Sequence, residues 1–153
     1  NLVDNKNIRK VCMQSDRASL TIIDLISEQH AVLRKATEDV WAKTEDVHFS
    51  HTDFYLISKI AQKDLSISQA AEMIKISRQA MQKAAAKLKE RGFIEYRHLP
   101  GNQRDKHMYL TEAGTECARK YERIKINLEN RIKTAVGEKS FSLLKEILGR
   151  NLV

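Results

Sequence analysis

Two helix starts crowd together in the middle of this chain, and their spacing limits the fold more than any other feature. In Leu65-Ser66-Ile67-Ser68-Gln69, Ser66 can cap a first-turn N–H while Gln69 reaches back, opening a short helix through Ala70, Ala71 and Ile74. Ser77 is a fresh N-cap only three residues after Ile74, and its helix runs to Arg91 before Gly92 supplies a left-handed terminal residue. Two helices joined this closely form a helix-turn-helix. In the second of them Met81, Ala84, Ala85 and Leu88 make an apolar stripe, while Arg78, Gln79, Gln82, Lys83 and Lys87 fall on other faces.

The residues after Gly92 complete the motif. Phe93-Ile94-Glu95-Tyr96-Arg97-His98 reads as a strand, Leu99-Pro100-Gly101-Asn102-Gln103-Arg104-Asp105 as an exposed turn, and His107-Met108-Tyr109-Leu110 as a returning strand. A helix-turn-helix followed by such a hairpin is a winged helix. Upstream, Leu20, Ile23, Ile26, His30, Leu33, Thr37 and Val40 recur at helical intervals, with Ser15 and Asp16 as start signals. After a break at Lys43–Val47, Ser50 and Asp53 have capping-box spacing and Phe49 and Phe54 that of a hydrophobic staple, so a helix carrying Phe54, Ile57 and Ile60 follows. Downstream, Thr111 caps a long helix with Cys117, Tyr121, Ile124, Leu128, Ile132 and Val136 on one stripe. Gly137 ends it, and Phe141, Leu144, Ile147 and Leu148 form a last short helix.

The expected fold is therefore mainly α: a winged helix-turn-helix, with a three-helix core and a two-stranded wing, between N- and C-terminal helices. Its parts are 1–48, 49–111 and 112–153. The outer helices carry more apolar surface than a core of about 60 residues can cover, which implies a partner subunit and makes these dimerisation helices. One Pro and five Gly in 153 residues argue against a turn-rich all-β alternative. The apolar runs are too short for a membrane span, and Asn1–Val11 shows no signal-peptide core, although a chain starting at Asn is compatible with a trimmed leader. Two cysteines without C-x-x-C spacing suggest a reducing, cytosolic setting.

Charge adds a location. Residues 1–74 hold 9 basic and 11 acidic side chains, residues 75–107 hold 9 and 3, and residues 108–153 hold 9 and 6, for +7 in all. Most of the excess thus sits on the second helix of the helix-turn-helix and its wing. A local basic patch suits a polyanion, because each Lys or Arg set against a phosphate releases condensed counterions.

Ser77, Leu88, Gly92, Ile94, Pro100, Arg104 and Leu110-Thr111-x-x-Gly114 stand at a joint spacing that resembles the MarR family of bacterial transcriptional regulators. The resemblance runs from about Phe49 to Gly114 in motif and over most of the chain in layout. It implies a cytoplasmic, nucleoid-associated homodimer with interlocked terminal helices, whose two lobes contact consecutive major grooves. It also implies repression, relieved in many members by a small ligand or oxidant. On that layout helix 77–91 enters the major groove, where Ser77, Arg78, Gln79, Gln82 and Lys83 meet DNA and the Arg and Gln side chains can read guanine and adenine edges. Wing 97–108 enters the minor groove through Arg104, with Asn102 beside it, while Lys75, Lys87 and Lys106 contact phosphates. A two-fold dimer prefers a near-palindrome with half-sites about one helical turn apart. Two departures from the family pattern stand out: Asn102-x-Arg104 replaces Asp-x-Arg, and Tyr96 stands where Arg is common, with Arg97 one place later and on the opposite strand face.

The family layout also puts an effector cavity, for a small aromatic molecule, near His30, Trp41, His51, Phe54, Tyr55 and Tyr121. Cys12 is similar in position to the thiol of peroxide-sensing members. No Tyr occurs before Tyr55, however, and only Arg9, Lys10 and Arg17 could lower its pKa, so an inert thiol is expected. Cys117, on an apolar stripe, is expected to be packing. His48 and His51 lack further ligands at metal spacing, so neither metal nor cofactor is expected. A winged helix serving as a protein-interaction module is the alternative reading. An enzyme has no supporting Ser/His/Asp, Cys/His or phosphate-loop arrangement.

Overall fold

The computed structural model describes residues 19–99 and 102–152, with backbone alone at 99 and 102–105. The chain forms two compact units, Asn1–Glu38 and Asp39–Val153, and helix α1, Ile22–Thr44, continues from the first into the second. The expected start signals Ser15 and Asp16 lie outside the described residues. The described helix is capped by Thr21 and Asp24: the Thr21 hydroxyl accepts from the Asp24 N–H at 3.3 Å, and the Asp24 carboxylate accepts from the Thr21 N–H at 3.2 Å. Within the first unit Ile22, Ile23, Ile26, Val32 and Leu33 are exposed, and Thr37 turns its hydroxyl to the Arg34 carbonyl at 2.7 Å.

In the second unit α2 spans His51–Gln62, β1 Leu65–Ser66, α3 Ile67–Ile74 and α4 Arg78–Glu90. Strands β2 (Ile94–Leu99) and β3 (Asn102–Leu110) follow, then α5 (Glu112–Val136) and α6 (Glu138–Leu148). Both expected capping boxes form, Ser50 with Asp53 and Ser66 with Gln69. The staple closes as well, with Phe49 and Phe54 rings 5.3 Å apart. Among the described residues no helix is long and apolar enough to cross a membrane.

The sheet has one strand more than the expected two-stranded wing. Its order is β1-β3-β2, all antiparallel, with Leu65 opposite Met108 and Ser66 opposite His107. A strand of two residues carries no alternation to betray it; backbone pairing to β3 creates it. Strand β3 also begins at Asn102, earlier than the expected His107, because its polar first half is held by the ladder to β2. Leu56, Ile57, Leu65, Met81, Leu88, Ile94 and Met108 are fully buried and form the core that α2, α4 and the sheet share.

The seam between the wing and α5 explains the Thr111-x-x-Gly114 spacing. The Thr111 hydroxyl donates to the Gly92 carbonyl at 2.6 Å and accepts from the Gly114 N–H at 3.0 Å. The Thr111 N–H donates to the Phe93 carbonyl at 3.1 Å. That same Phe93 oxygen would lie 2.0 Å from a Cβ at position 114, so only glycine lets α5 start this close to the chain leaving α4.

Candidate nucleic-acid interface

Helix α4 is seated from behind. Met81, Ala85 and Leu88 are wholly buried, Ala84 is half-buried, and Ser77 caps the first turn by accepting from the Ala80 N–H at 3.1 Å. Turning at 3.6 residues per turn, this leaves Ser77, Arg78, Gln79, Gln82 and Lys83 exposed. Ser77, Gln79, Gln82 and Lys83 line one shallow open face together with Ala80 and Ala86. Ala86 belongs to the run Ala84-Ala85-Ala86, which keeps the helix slim enough for a groove, whereas Ala80 carries no such signal in the sequence; both methyl groups are of a kind that meets thymine methyls in a major groove. The turn from α3 is made by Lys75 in the left-handed region, φ 60°, which leaves its side chain exposed.

Lys87 is only partly free for a phosphate. Its Nζ lies 3.6 Å from the Asp53 carboxylate, which is 2% exposed and is also engaged in the α2 capping box. Lys89 lies over the Tyr96 ring at 5.0 Å, and burial raises the Tyr96 hydroxyl above its ordinary pKa. Arg97, on the other face of the strand, pairs with Glu95 and covers the Tyr109 ring at 4.8 Å. The structure thus separates residues 96 and 97 as strand alternation requires and gives each an intramolecular partner. Lys106 is exposed on β3, opposite His98. The side chains of Asn102 and Arg104 lie outside those described.

Of the residues expected around an effector, Trp41, His51, Phe54, Tyr55 and Tyr121 belong to the second compact unit. Trp41, Phe54 and Tyr121 pack together: Phe54 stacks on Tyr121 at 4.2 Å, and Trp41 meets Phe54 edge-on at 5.0 Å. His51 and Tyr55 lie side by side on α2 with rings 6.5 Å apart. His30 belongs to the other compact unit and is exposed. A cleft of about 670 Å³, which sequence did not indicate, runs beside the sheet past Ser58, Asp64, Arg97, Tyr109, Arg119 and Glu122. Its two arginines are already paired, with Glu95 and Glu116. Among the described residues no three His, Cys, Asp or Glu side chains stand together as a metal site.

Cys12 lies outside the described residues, with Arg9, Lys10 and Arg17. Cys117 is buried against the core, and burial, with Glu45 nearby, pushes its thiol up to about 12. Below the unfolded thiol's pKa of about 8.5 both states keep the proton; above it the unfolded chain ionises first, so stability falls as pH climbs toward the folded value. We expect iodoacetamide at about pH 8.5 to leave the Cys117 peptide unmodified in native protein and to label it after denaturation. Labelling of the native peptide at the denatured rate would contradict this burial.

The elements in order, with α3 and α4 joined through a tight turn and followed by a hairpin, define a winged helix-turn-helix protein. The family model of the MarR family matches residues 49–105, the stretch that holds α2, α3, α4, β2 and the start of β3. An uncharacterised protein of Mycobacterium tuberculosis is 28% identical over 141 residues, covering 91% of this chain and 94% of its own length. The fold is similar to that of Streptococcus pneumoniae FabT in complex with DNA, at TM-score 0.71 and 20% identity over 82% of this chain and 87% of that one. It is also similar to NadR in complex with 4-hydroxyphenylacetate, at TM-score 0.69 and 19% identity over 84% and 89% of the two chains.

Proposed function

We propose that this protein is a sequence-specific DNA-binding transcriptional regulator, a repressor acting as a homodimer on a near-palindromic operator. The observation that carries the reading is the outward face of α4. Four residues able to meet bases or phosphates, Arg78, Gln79, Gln82 and Lys83, are exposed together, while Met81, Ala85 and Leu88 fix the helix from the opposite side. The basic excess lies on the same stretch, and wing 97–108 extends from it. A second copy is the proposed cover for Leu143, Leu144, Ile147 and Leu148, which stand exposed on α6. Release by a small aromatic effector is part of the proposal, by analogy with the ligand of NadR.

Selection of bound duplexes from a random pool, followed by titration against salt, tests the reading. A palindromic consensus is expected, with affinity falling about 10³-fold or more between 50 and 200 mM salt if six or more phosphates are contacted. Binding that ignores salt, or no duplex binding at low salt, would move the protein to the interaction-module class. Within that assay Gln82→Ala should change the preferred base at one position per half-site, at a cost of about 1–3 kcal/mol there. An equal loss on every sequence would mark Gln82 as a backbone contact.

A further inference from the structure

We propose that Arg91 is a positioning residue for DNA binding, which ties the end of the recognition helix to the loop following α1; the proposal rests on the DNA-binding reading above. Arg91 follows the last residue of α4, and its Nη2 donates to the His48 carbonyl at 2.8 Å, across 43 residues of chain. The neighbouring carbonyl, that of Val47, accepts from Trp41 Nε1 on α1 at 2.7 Å. Two adjacent carbonyls of one loop are therefore held, one by α1 and the other by the end of α4.

The surroundings hold the guanidinium in place. It lies over the Phe49 ring at 4.5 Å and the Phe93 ring at 5.3 Å, rings that themselves meet at 4.8 Å, and Phe49 in turn meets Trp41 at 5.5 Å. Its Nη1 is buried without a hydrogen-bond partner among the described residues, 4.0 Å from the Asp53 carboxylate. A lysine could keep the charge but could not bond the carbonyl, face the carboxylate and stack on two rings at once. Base readout depends on where α4 points, so a slack C-terminal end should affect sequence-selective binding more than general attraction to phosphate.

The test is a double-mutant cycle with Arg91→Lys and Trp41→Phe, read as affinity for the selected duplex and for a scrambled one. Trp41→Phe keeps a ring in the aromatic cluster but removes the bond to Val47 and part of the indole's packing on Phe49, Phe54 and Tyr121. Arg91→Lys is expected to weaken the selected duplex about tenfold while changing the scrambled one less than about twofold, since loss of a charge-assisted bond is of that size. The double variant should lose clearly less than the product of the two single losses, because either change alone frees the shared loop. Trp41 is the only tryptophan in the chain, so its emission gives a second readout: it should shift in Arg91→Lys with no DNA present. Arg91→Met, which keeps the stem on both rings, replaces Arg91→Lys should that variant lose its fold. Equal losses on both duplexes, strictly multiplicative losses, or wild-type affinity in the Arg91 variants overturns the proposal alone. Wild-type protein that binds no duplex overturns the DNA-binding reading and this proposal with it.

Discussion

Replacing Gly114 with alanine is expected to cost about 3 kcal/mol or more of folding stability, lowering the melting temperature by about 10 °C. Position 114 lies inside α5 with helical backbone, where propensity alone favours alanine over glycine by up to about 1 kcal/mol. The added Cβ, however, would meet the Phe93 carbonyl oxygen at 2.0 Å, and relief requires α5 to back away from the chain leaving α4. That movement strains the bonds Thr111 makes to Gly92 and Phe93. Gly92→Ala is the control, because there a Cβ meets nothing within 4 Å and only the φ of 78° opposes it, at about 1–2 kcal/mol. Thermal denaturation of both variants should rank Gly114→Ala as the more damaged; the reverse order would mean that the seam yields easily.

The second large effect concerns binding. Reversing two exposed charges on α4, Arg78→Glu with Lys83→Glu, should lower duplex affinity at least about 100-fold at low salt, since two favourable interactions of about 1–3 kcal/mol each become repulsive. Neither side chain supports the core: both are exposed on the face away from Met81, Ala85 and Leu88, so the melting temperature should hardly move. The salt dependence should flatten by about one unit of slope for each phosphate that is no longer neutralised. Fluorescence anisotropy across a salt series measures both quantities, and retention of wild-type affinity would remove α4 from the interface.

What could be read in advance was whatever is decided within a few residues. Ser50 with Asp53, Ser66 with Gln69, Ser77 and Thr111 all cap as their spacing suggests, because an N-cap bond spans only three positions. The outward face of α4 was legible for the same reason, since a 3.6-residue period sorts Gln82 from Met81 without knowledge of the rest. Long-range pairing was not legible. The strand Leu65–Ser66 exists only because β3 passes beside it, and the Arg91 bond joins residues 43 apart. Nothing near Gly114 in the chain announces the carbonyl above it. The Thr21–Asp24 cap of α1, by contrast, has ordinary box spacing and was within reach of local reasoning.

Ser66 has two duties. Its backbone pairs with His107 at the edge of the sheet, while its hydroxyl caps α3 by accepting from the Gln69 N–H at 3.2 Å. The residue of β1 that pairs with the wing's central strand, β3, is therefore also the N-cap of the first helix of the helix-turn-helix, and no slack segment separates β1 from α3. On the DNA-binding reading proposed above, a signal that releases the duplex is expected to re-aim the wing and α3 together rather than to bend the link between them.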